Sequence, residues 1–207
     1  MADWLFLIVI LIFSAVIHEV AHGAMASRLG DPTAKYSGRL TLNPIKHLDF
    51  FGSLILPALM LLVTRGQGPI FGWAKPVPIN PYNFRDQKYG SAKVAVSGPA
   101  ANFVIALFFG LVLRFLPAIP ALSGLDLIFS YIVYINLLLT VFNLLPIPPL
   151  DGSHILFTFL PQGAENVKAV LNQFGLFILL FVIFFAFNWV VLIINFIFRL
   201  IVGVSLF

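Results

Sequence analysis

The sequence contains no cysteine among its 207 residues. This absence excludes disulfide bonds, thiol nucleophiles and zinc sites that use cysteine ligands. Any metal site must therefore be made of histidine and carboxylate side chains. The absence says nothing about the redox state of the compartment in which the protein works.

Charged residues are also scarce. They make up 10% of the chain, against 60% hydrophobic residues, and the mean hydropathy is +1.03. Soluble domains carry about 25% charged residues, so the composition predicts a membrane protein. The formal net charge of +4 does not indicate nucleic-acid binding, because the basic residues are dispersed and no soluble domain presents them.

Apolar stretches define the expected scaffold. They are Trp4–Ser27, Phe50–Thr64, Ala92–Leu116, Leu125–Leu145 and Phe174–Phe198. A spanning helix needs about 20 apolar residues, so four stretches are long enough, and the first is too long for the hydrophobic part of a signal peptide. We expect an all-α polytopic membrane protein with four to five transmembrane helices in a single domain, residues 1–207.

The short stretch Phe50–Thr64 is interrupted by Pro57 and is either a thin span or a re-entrant segment. Nine of the twelve Lys and Arg residues lie at positions 28–93. A single crossing at Phe50–Thr64 would divide these nine into four and five, whereas re-entry keeps them all in the cytoplasm. We therefore predict re-entry, an external N-terminus, and a multi-pass protein of the plasma (inner) membrane.

Two segments near the first helix combine β-branched or aromatic residues with Gly and Pro. They read TAKYSGRLTLNP at residues 33–44 and FGWAKPVPINP at residues 71–81. This pattern predicts short extended segments that end in turns. We expect short β strands at the cytoplasmic side, one of them an edge strand.

The first apolar stretch contains the motif H-E-x-x-H, formed by His18, Glu19 and His22. On a helix the two histidines lie one turn apart on the same face, so they can share one metal ion. Glu19 can then reach a water at the metal without being a ligand. Interhelical hydrogen bonding is the alternative for the histidines, but it does not explain a carboxylate at membrane depth, which costs a few kcal/mol or more.

Catalytic zinc needs a third protein ligand, and Asp151 is the acidic residue in the most apolar context. It closes the sequence NLLPIPPLD, in which three prolines prevent the preceding helix from continuing. The predicted topology places it on the same side as His22. The alternative is that Asp151 and Gly152 form only a turn or a helix cap.

Together these motifs resemble the site-2 protease family of intramembrane zinc metalloproteases. The resemblance lies in H-E-x-x-H and NLLPIPPLDG, and SGPAANF and GWAKPVPINP resemble the short prokaryotic branch without PDZ or CBS domains. It implies one Zn²⁺ bound by His18, His22 and Asp151, with Glu19 as general base. It also implies that Asn143 holds the substrate backbone or the developing oxyanion.

The resemblance implies a metalloendopeptidase that cuts transmembrane segments of membrane proteins, as in regulated intramembrane proteolysis. The predicted topology and the position of His18 along the first helix place the site towards the cytoplasm. Its partners would be a transmembrane substrate and the lipid bilayer, with no nucleic acid, and the extended segments would receive substrate as an added strand. A metal or proton transporter is the alternative, but it predicts charges along a path and internal repeats. An inactive scaffold is another alternative, against which the intact Glu19 argues.

Four further residues keep more than one interpretation. Asn143 is also compatible with ordinary interhelical hydrogen bonding, and Asn102 with either support of the site or helix packing. His154 follows Asp151 by three residues and competes as a ligand, whereas His47 lies in a polar connection and is expected at the interface.

Overall fold

The computed structural model describes residues 2–64, 75–115, 124–161 and 163–203. Its main elements are α1 (Ala2–Arg28), α2 (Thr33–Tyr36), α3 (Leu56–Thr64), α4 (Gly90–Phe115), α5 (Asp126–Asn143), α6 (Asp151–Phe159), α7 (Glu165–Phe181) and α8 (Phe187–Val202). A π-helical turn, Phe50–Ile55, precedes α3, and another, Val182–Ala186, joins α7 to α8. Short 3₁₀ turns occur at Pro44–His47 and Pro81–Asn83.

Four helices are long and apolar enough to cross a membrane: Phe6–Arg28, Gly90–Phe115, Asp126–Asn143 and Glu165–Val202. The last is α7 and α8 read as one helix of 38 residues, about 57 Å long at 1.5 Å per residue. These helices confirm the prediction of an α-helical, multi-pass membrane protein.

Helix α4 lies at the centre of the bundle and packs against α1, α5, α6 and α8. On its C-terminal half, Ala106 joins a buried apolar cluster with Leu137 of α5 and Ile194 and Phe198 of α8. A Cβ added at Gly110 would lie 2.5 Å from Ile201 Cγ2, so the glycine lets α8 approach closely. Small residues at such contacts are typical of helix packing in lipid.

The predicted short β strands are absent from the described residues, and this part of the fold prediction is wrong there. Residues 33–36 form helix α2 instead. Residues 75–80 form no regular secondary structure and belong to no sheet, with extended backbone at Asn80, and residues 71–74 of the same predicted segment lie outside the described ranges.

The segment 75–80 lacks strand pairing because other groups take its backbone donors. Pro76 and Pro78 have no N–H to donate. Three amides of the segment bind outside any sheet: Lys75 to the His47 carbonyl (2.8 Å), Val77 to Glu19 Oε2 (2.9 Å) and Asn80 to Asp31 Oδ2 (2.7 Å). The carboxylates of the loop and of α1 thus replace a neighbouring strand.

Asp31, just after α1, holds the far end of this segment. It is fully buried and also accepts hydrogen bonds from Thr33 N (3.1 Å) and Asn83 Nδ2 (2.9 Å). Burial alone would raise the pKa of Asp31, but these hydrogen bonds outweigh it and lower the pKa below 3.8. The ionised carboxylate therefore ties residues 80–83 to the end of α1.

The stretch Phe50–Thr64 is helical throughout. Helix α3 contributes nine of its residues, about 14 Å of length, which is less than half of a hydrocarbon core of about 30 Å. The re-entry of this stretch into the membrane stays a prediction.

Candidate metal centre

His18 and His22 lie on one face of α1, as the i, i+4 spacing predicts. Both are buried. Their ring centroids are 4.6 Å apart with the ring planes at 88°, and their Nε2 atoms are 3.0 Å apart. The two rings therefore point their Nε2 atoms at a common place.

Asp151 reaches the same place from the first turn of α6. Its Oδ2 lies 3.0 Å from His18 Nε2 and 3.2 Å from His22 Nε2. Ligands about 2.0–2.1 Å from a tetrahedral zinc ion are separated by about 3.3 Å from one another. The three predicted ligands are thus brought together at separations that fit one metal ion, and they form the one such group among the described residues.

The chemistry of the three atoms also fits a cation. His22 Nδ1 donates to the Val94 carbonyl oxygen at 2.7 Å. Because a carbonyl can only accept, the proton of the neutral ring is on Nδ1 and Nε2 carries a lone pair. The lone pair of His22 Nε2 and the Asp151 carboxylate oxygen, 3.2 Å apart, repel one another unless a proton or a metal cation lies between them.

Gly98 of α4 provides the floor beneath both rings. A Cβ added there would lie 2.5 Å from His22 Nε2 and 2.7 Å from His18 Cε1. Real Cβ contacts are not that short, so any other residue would displace the rings. The glycine of SGPAANF is therefore required by the close approach of α4 to the two imidazoles.

The turn after α5 carries Asp151 into place. Helix α5 ends at Asn143, as the prolines predict, and α6 begins at Asp151 without a side-chain cap at its N-terminus. A Cβ at Gly152 would lie 2.3 Å from the carbonyl oxygens of Leu144 and Leu145. Asp151 is thus directed to the histidines rather than used as a helix cap.

Helix α7 supports this turn from the other side. A Cβ at Gly175 would lie 2.5 Å from the carbonyl oxygen of Pro148. The backbone of α7 therefore rests directly on the loop that precedes Asp151.

A cavity of about 380 Å³ opens beside the three ligands, and Glu19, Asn143 and His154 also line it. Glu19 is partly exposed there, and its Oε2 accepts the hydrogen bond from Val77 N. The segment 75–80 thus forms one wall of the cavity and holds one oxygen of the carboxylate. The other oxygen has no such restraint from the wall.

Asn143 lies on the cavity wall at the end of α5. Its Nδ2 donates to the Leu139 carbonyl oxygen at 2.9 Å. One of its two amide hydrogens is therefore engaged within its own helix, and the second makes no hydrogen bond to the residues that the structure describes.

The two competing histidines differ from the ligands. His154 is exposed and lines this cavity and two neighbouring ones, and it is not part of the convergent group. His47 is 1% exposed, and its Nε2 donates to the Thr41 carbonyl oxygen at 2.8 Å. It is buried within the protein, and its position at the membrane interface stays a prediction.

Several residues around the site were not identified from the sequence. Asn136 and Ser14 are buried and hydrogen-bond to each other. Asn136 also accepts a hydrogen bond from Asn102, which in turn contacts His18. Helical spacing was the available signal, because Ser14 precedes His18 by one turn. A polar residue on the buried face of an apolar membrane helix is a functional candidate in itself.

Comparison with known proteins identifies the family. The profile of peptidase family M50 matches residues 119–182. YwhC of Bacillus subtilis (strain 168), named as a candidate zinc metalloprotease, is 42% identical over 185 residues, which cover 86% of this chain and 80% of YwhC. Rip2 of Mycolicibacterium smegmatis, named in the same way, is 32% identical over 170 residues, covering 81% of this chain and 62% of Rip2.

No solved structure matches the chain significantly. The identity to YwhC extends over most of both proteins, and the segment that matches the M50 profile contains Asn143 and Asp151. The chain therefore belongs to peptidase family M50, the site-2 proteases, which are intramembrane zinc metalloproteases.

Proposed function

We propose that His18, His22 and Asp151 hold one Zn²⁺ ion and that Glu19 is the general base for hydrolysis of a peptide bond within the membrane. The convergence of three lone-pair atoms within 3.0–3.2 Å supports this assignment. Glu19 lines the cavity next to them without belonging to the ligand group. That division between ligands and base is what a hydrolytic zinc site requires.

When bound, zinc lowers the pKa of a coordinated water towards about 7 and polarises the scissile carbonyl. Glu19 takes the proton of the attacking water and gives it to the leaving amine. The hydrogen bond from Val77 N to Oε2 fixes the carboxylate against the cavity wall. Its other oxygen is therefore the proton acceptor.

Asn143 donates its second amide hydrogen to the oxyanion or to the substrate backbone. Its first hydrogen bonds to Leu139 O and holds the side chain at the cavity wall. A donor fixed in advance stabilises a developing charge without reorganisation, and losing one costs about 2.7–4 kcal/mol in other acyl-transfer enzymes.

The substrate is a transmembrane segment that has unwound near the cut. The backbone groups of a helix are hydrogen-bonded internally, so a scissile carbonyl becomes accessible only where the helix has locally unwound. The cavity of about 380 Å³ beside the ligand group then receives the unwound stretch. Substrates with helix-weakening residues at the cut are preferred, because each freed backbone group in lipid needs a new partner.

The wall 75–80 contributes mainly acceptors to such a substrate. Its amides at Lys75, Val77 and Asn80 already donate elsewhere, and the two prolines have none. Addition of a substrate strand along this wall would use its carbonyl groups rather than a complete strand ladder.

The protein lies in the plasma (inner) membrane, and its active site is on the cytoplasmic side. His22 lies six residues before Arg28, about 9 Å from the basic end of the span. The basic residues between α1 and α4 belong on the cytoplasmic side by the positive-inside rule. Cysteine labelling at Lys35 and Lys75 tests this orientation, and labels on opposite faces of the membrane would contradict it.

A cleavage assay tests the function. The purified protein is mixed with a membrane-spanning model substrate, and Glu19→Gln is compared with the wild type, with zinc measured in both. Glu19→Gln is expected to keep zinc and to lose at least about 100-fold in cleavage rate, the lower end of a general base's contribution. Equal cleavage by both proteins would disprove the role of Glu19.

A second pair of variants tests the ligand set. Asp151→Ala is expected to lose zinc, whereas His154→Gln, the matched control at the same cavity, is expected to keep it. The opposite pattern would identify His154 as the third ligand in place of Asp151.

A further inference from the structure

Asn102 of α4 contacts the ring nitrogen of His18 that faces away from the candidate metal position. Its Oδ1 lies 2.7 Å from His18 Nδ1. Asn102 is 0% exposed and His18 is 7% exposed, so water does not substitute for either partner.

The orientation of the Asn102 amide is fixed by groups that can only accept. Its Nδ2 is 3.1 Å from the backbone carbonyl oxygen of Ser14 and 2.8 Å from Asn136 Oδ1. Turning the amide over would place its oxygen against the Ser14 carbonyl oxygen, which is repulsive. Nδ2 must therefore face Ser14, and Oδ1 must face His18.

Asn136 of α5 has its own orientation fixed in the same way. Its Nδ2 donates to the backbone carbonyl oxygen of Ile132 and to Ser14 Oγ, each at 2.9 Å. Its Oδ1 is therefore left to accept from Asn102. Asn136 is also 0% exposed. The donor and the acceptor are therefore fixed in each hydrogen bond of the series that runs from the Ile132 carbonyl through Asn136 and Asn102 to His18.

We propose that Asn102, oriented by Asn136 and the Ser14 carbonyl, is a positioning residue that holds the His18 proton on Nδ1. The lone pair of Nε2 then faces the position between His22 and Asp151 that a metal ion would occupy. This role rests on the proposed function, in which His18 is a zinc ligand. For His18, the Asn102 side chain thus does what the Val94 backbone carbonyl does for His22, whose proton it holds on Nδ1.

The tautomer can be measured without any variant of the network. The chain has four histidines, so ¹⁵N-histidine labelling of the zinc-free protein above pH 8 gives few signals, and His18→Gln identifies the signal of His18. The expected chemical shifts are those of a neutral ring protonated on Nδ1. A His18 ring protonated on Nε2 would overturn the proposal, whether or not the protein binds zinc.

Zinc affinity by chelator competition, measured on the full-length protein, separates positioning from packing. Asn102→Leu keeps the approximate volume and removes the acceptor, and it is expected to weaken zinc binding about 10–100-fold, as loss of an outer partner of a ligating histidine does. Asn102→Asp keeps the acceptor and is expected to stay within about threefold of the wild type, although its buried charge lowers the thermal stability of the zinc-free protein.

Thr140→Val is the matched control, because Thr140 is buried on the same helix as Asn136 but its single hydroxyl hydrogen is shared between the Asn136 and Pro99 backbone carbonyl oxygens. It is expected to bind zinc like the wild type. Equal loss of zinc affinity in Asn102→Leu and Asn102→Asp would overturn the proposal, as would wild-type affinity in Asn102→Leu. Failure of the wild type itself to bind zinc would disprove the proposed function, and the tautomer measurement would still decide the role of Asn102.

Discussion

The two halves of helix α4 contact different partners and make different kinds of contact. The N-terminal half faces the histidines with the Val94 carbonyl and Asn102, which make directional hydrogen bonds to them, and with Gly98, which the rings approach closely. The C-terminal half faces α8 with Ala106 and Gly110, whose contacts are apolar, and with Arg114, which donates to the Leu200 carbonyl oxygen at its end. Each half uses a glycine to bring a partner close, but the partner is a pair of imidazoles in one case and an isoleucine in the other.

The difference shows what each kind of contact contributes in a membrane. Apolar contacts hold helices together, but lipid competes for them because its tails are as apolar as the side chains. Hydrogen bonds between buried groups have no such competitor and fix orientation. We therefore expect changes in the N-terminal half to alter zinc binding and changes in the C-terminal half to alter stability.

The largest effect is expected for Gly98→Ala. The added methyl group would displace both rings, so zinc affinity is expected to fall by at least about 100-fold, the upper limit for loss of a single outer partner. Proteolysis would fall with it. Zinc content after purification measures the effect, and full zinc occupancy with normal cleavage would show that the rings are not held against α4.

Gly110→Ala is the matched substitution in the apolar half. Overpacking against Ile201 is expected to lower the free energy of unfolding by about 1–3 kcal/mol, with zinc affinity within about threefold of the wild type. Thermal unfolding in detergent and chelator competition measure the two quantities. A loss of zinc affinity like that of Gly98→Ala would remove the distinction between the halves.

Asp31→Asn tests a directional contact outside the spans. An amide has one acceptor oxygen where the carboxylate has two, so a donor is left unpaired and stability at neutral pH is expected to fall by about 1–2 kcal/mol. Because the pKa of Asp31 is lowered in the folded protein, its contribution is present above its unfolded pKa and is lost as pH falls through its folded value. The difference between variant and wild type should therefore shrink below pH 3.8, as acid unfolding of the zinc-free proteins would show.

The smallest effect is expected for Thr140→Val, which lies where the polar and apolar contacts of α4 and α5 meet. Interhelical side-chain hydrogen bonds in membrane proteins average about 0.6 kcal/mol, and Thr140 also bonds within its own helix. A loss of stability near that value is expected in thermal unfolding. A loss above about 2 kcal/mol would show that the hydroxyl bond to Pro99 is essential to α4.

The candidate ligands could be predicted from the sequence because neighbouring residues along the chain identify each of them. His18 and His22 follow from the helical repeat, and Asp151 follows from the prolines that end α5 beside an isolated acid. The structure brings all three together. Their roles as ligands stay predictions until zinc is measured.

Other features depend on contacts between distant segments, which a single sequence does not encode locally. The strand prediction for residues 75–80 is wrong because Glu19 and Asp31 take the amide groups that a neighbouring strand would use. The direction of the amide chain through Asn102 and Asn136 depends on two backbone carbonyls. Neither could be deduced from residue type or periodicity.

The contact between Gly175 and the Pro148 loop has a consequence for biosynthesis. All the proposed ligands have been synthesised once the ribosome passes Asp151, but the helix that braces their loop reaches Gly175 only 24 residues later. The bracing is therefore complete only when the span Glu165–Val202 has entered the membrane. A nascent chain that already holds His18, His22 and Asp151 thus still lacks the support of their loop, which insertion of this span supplies.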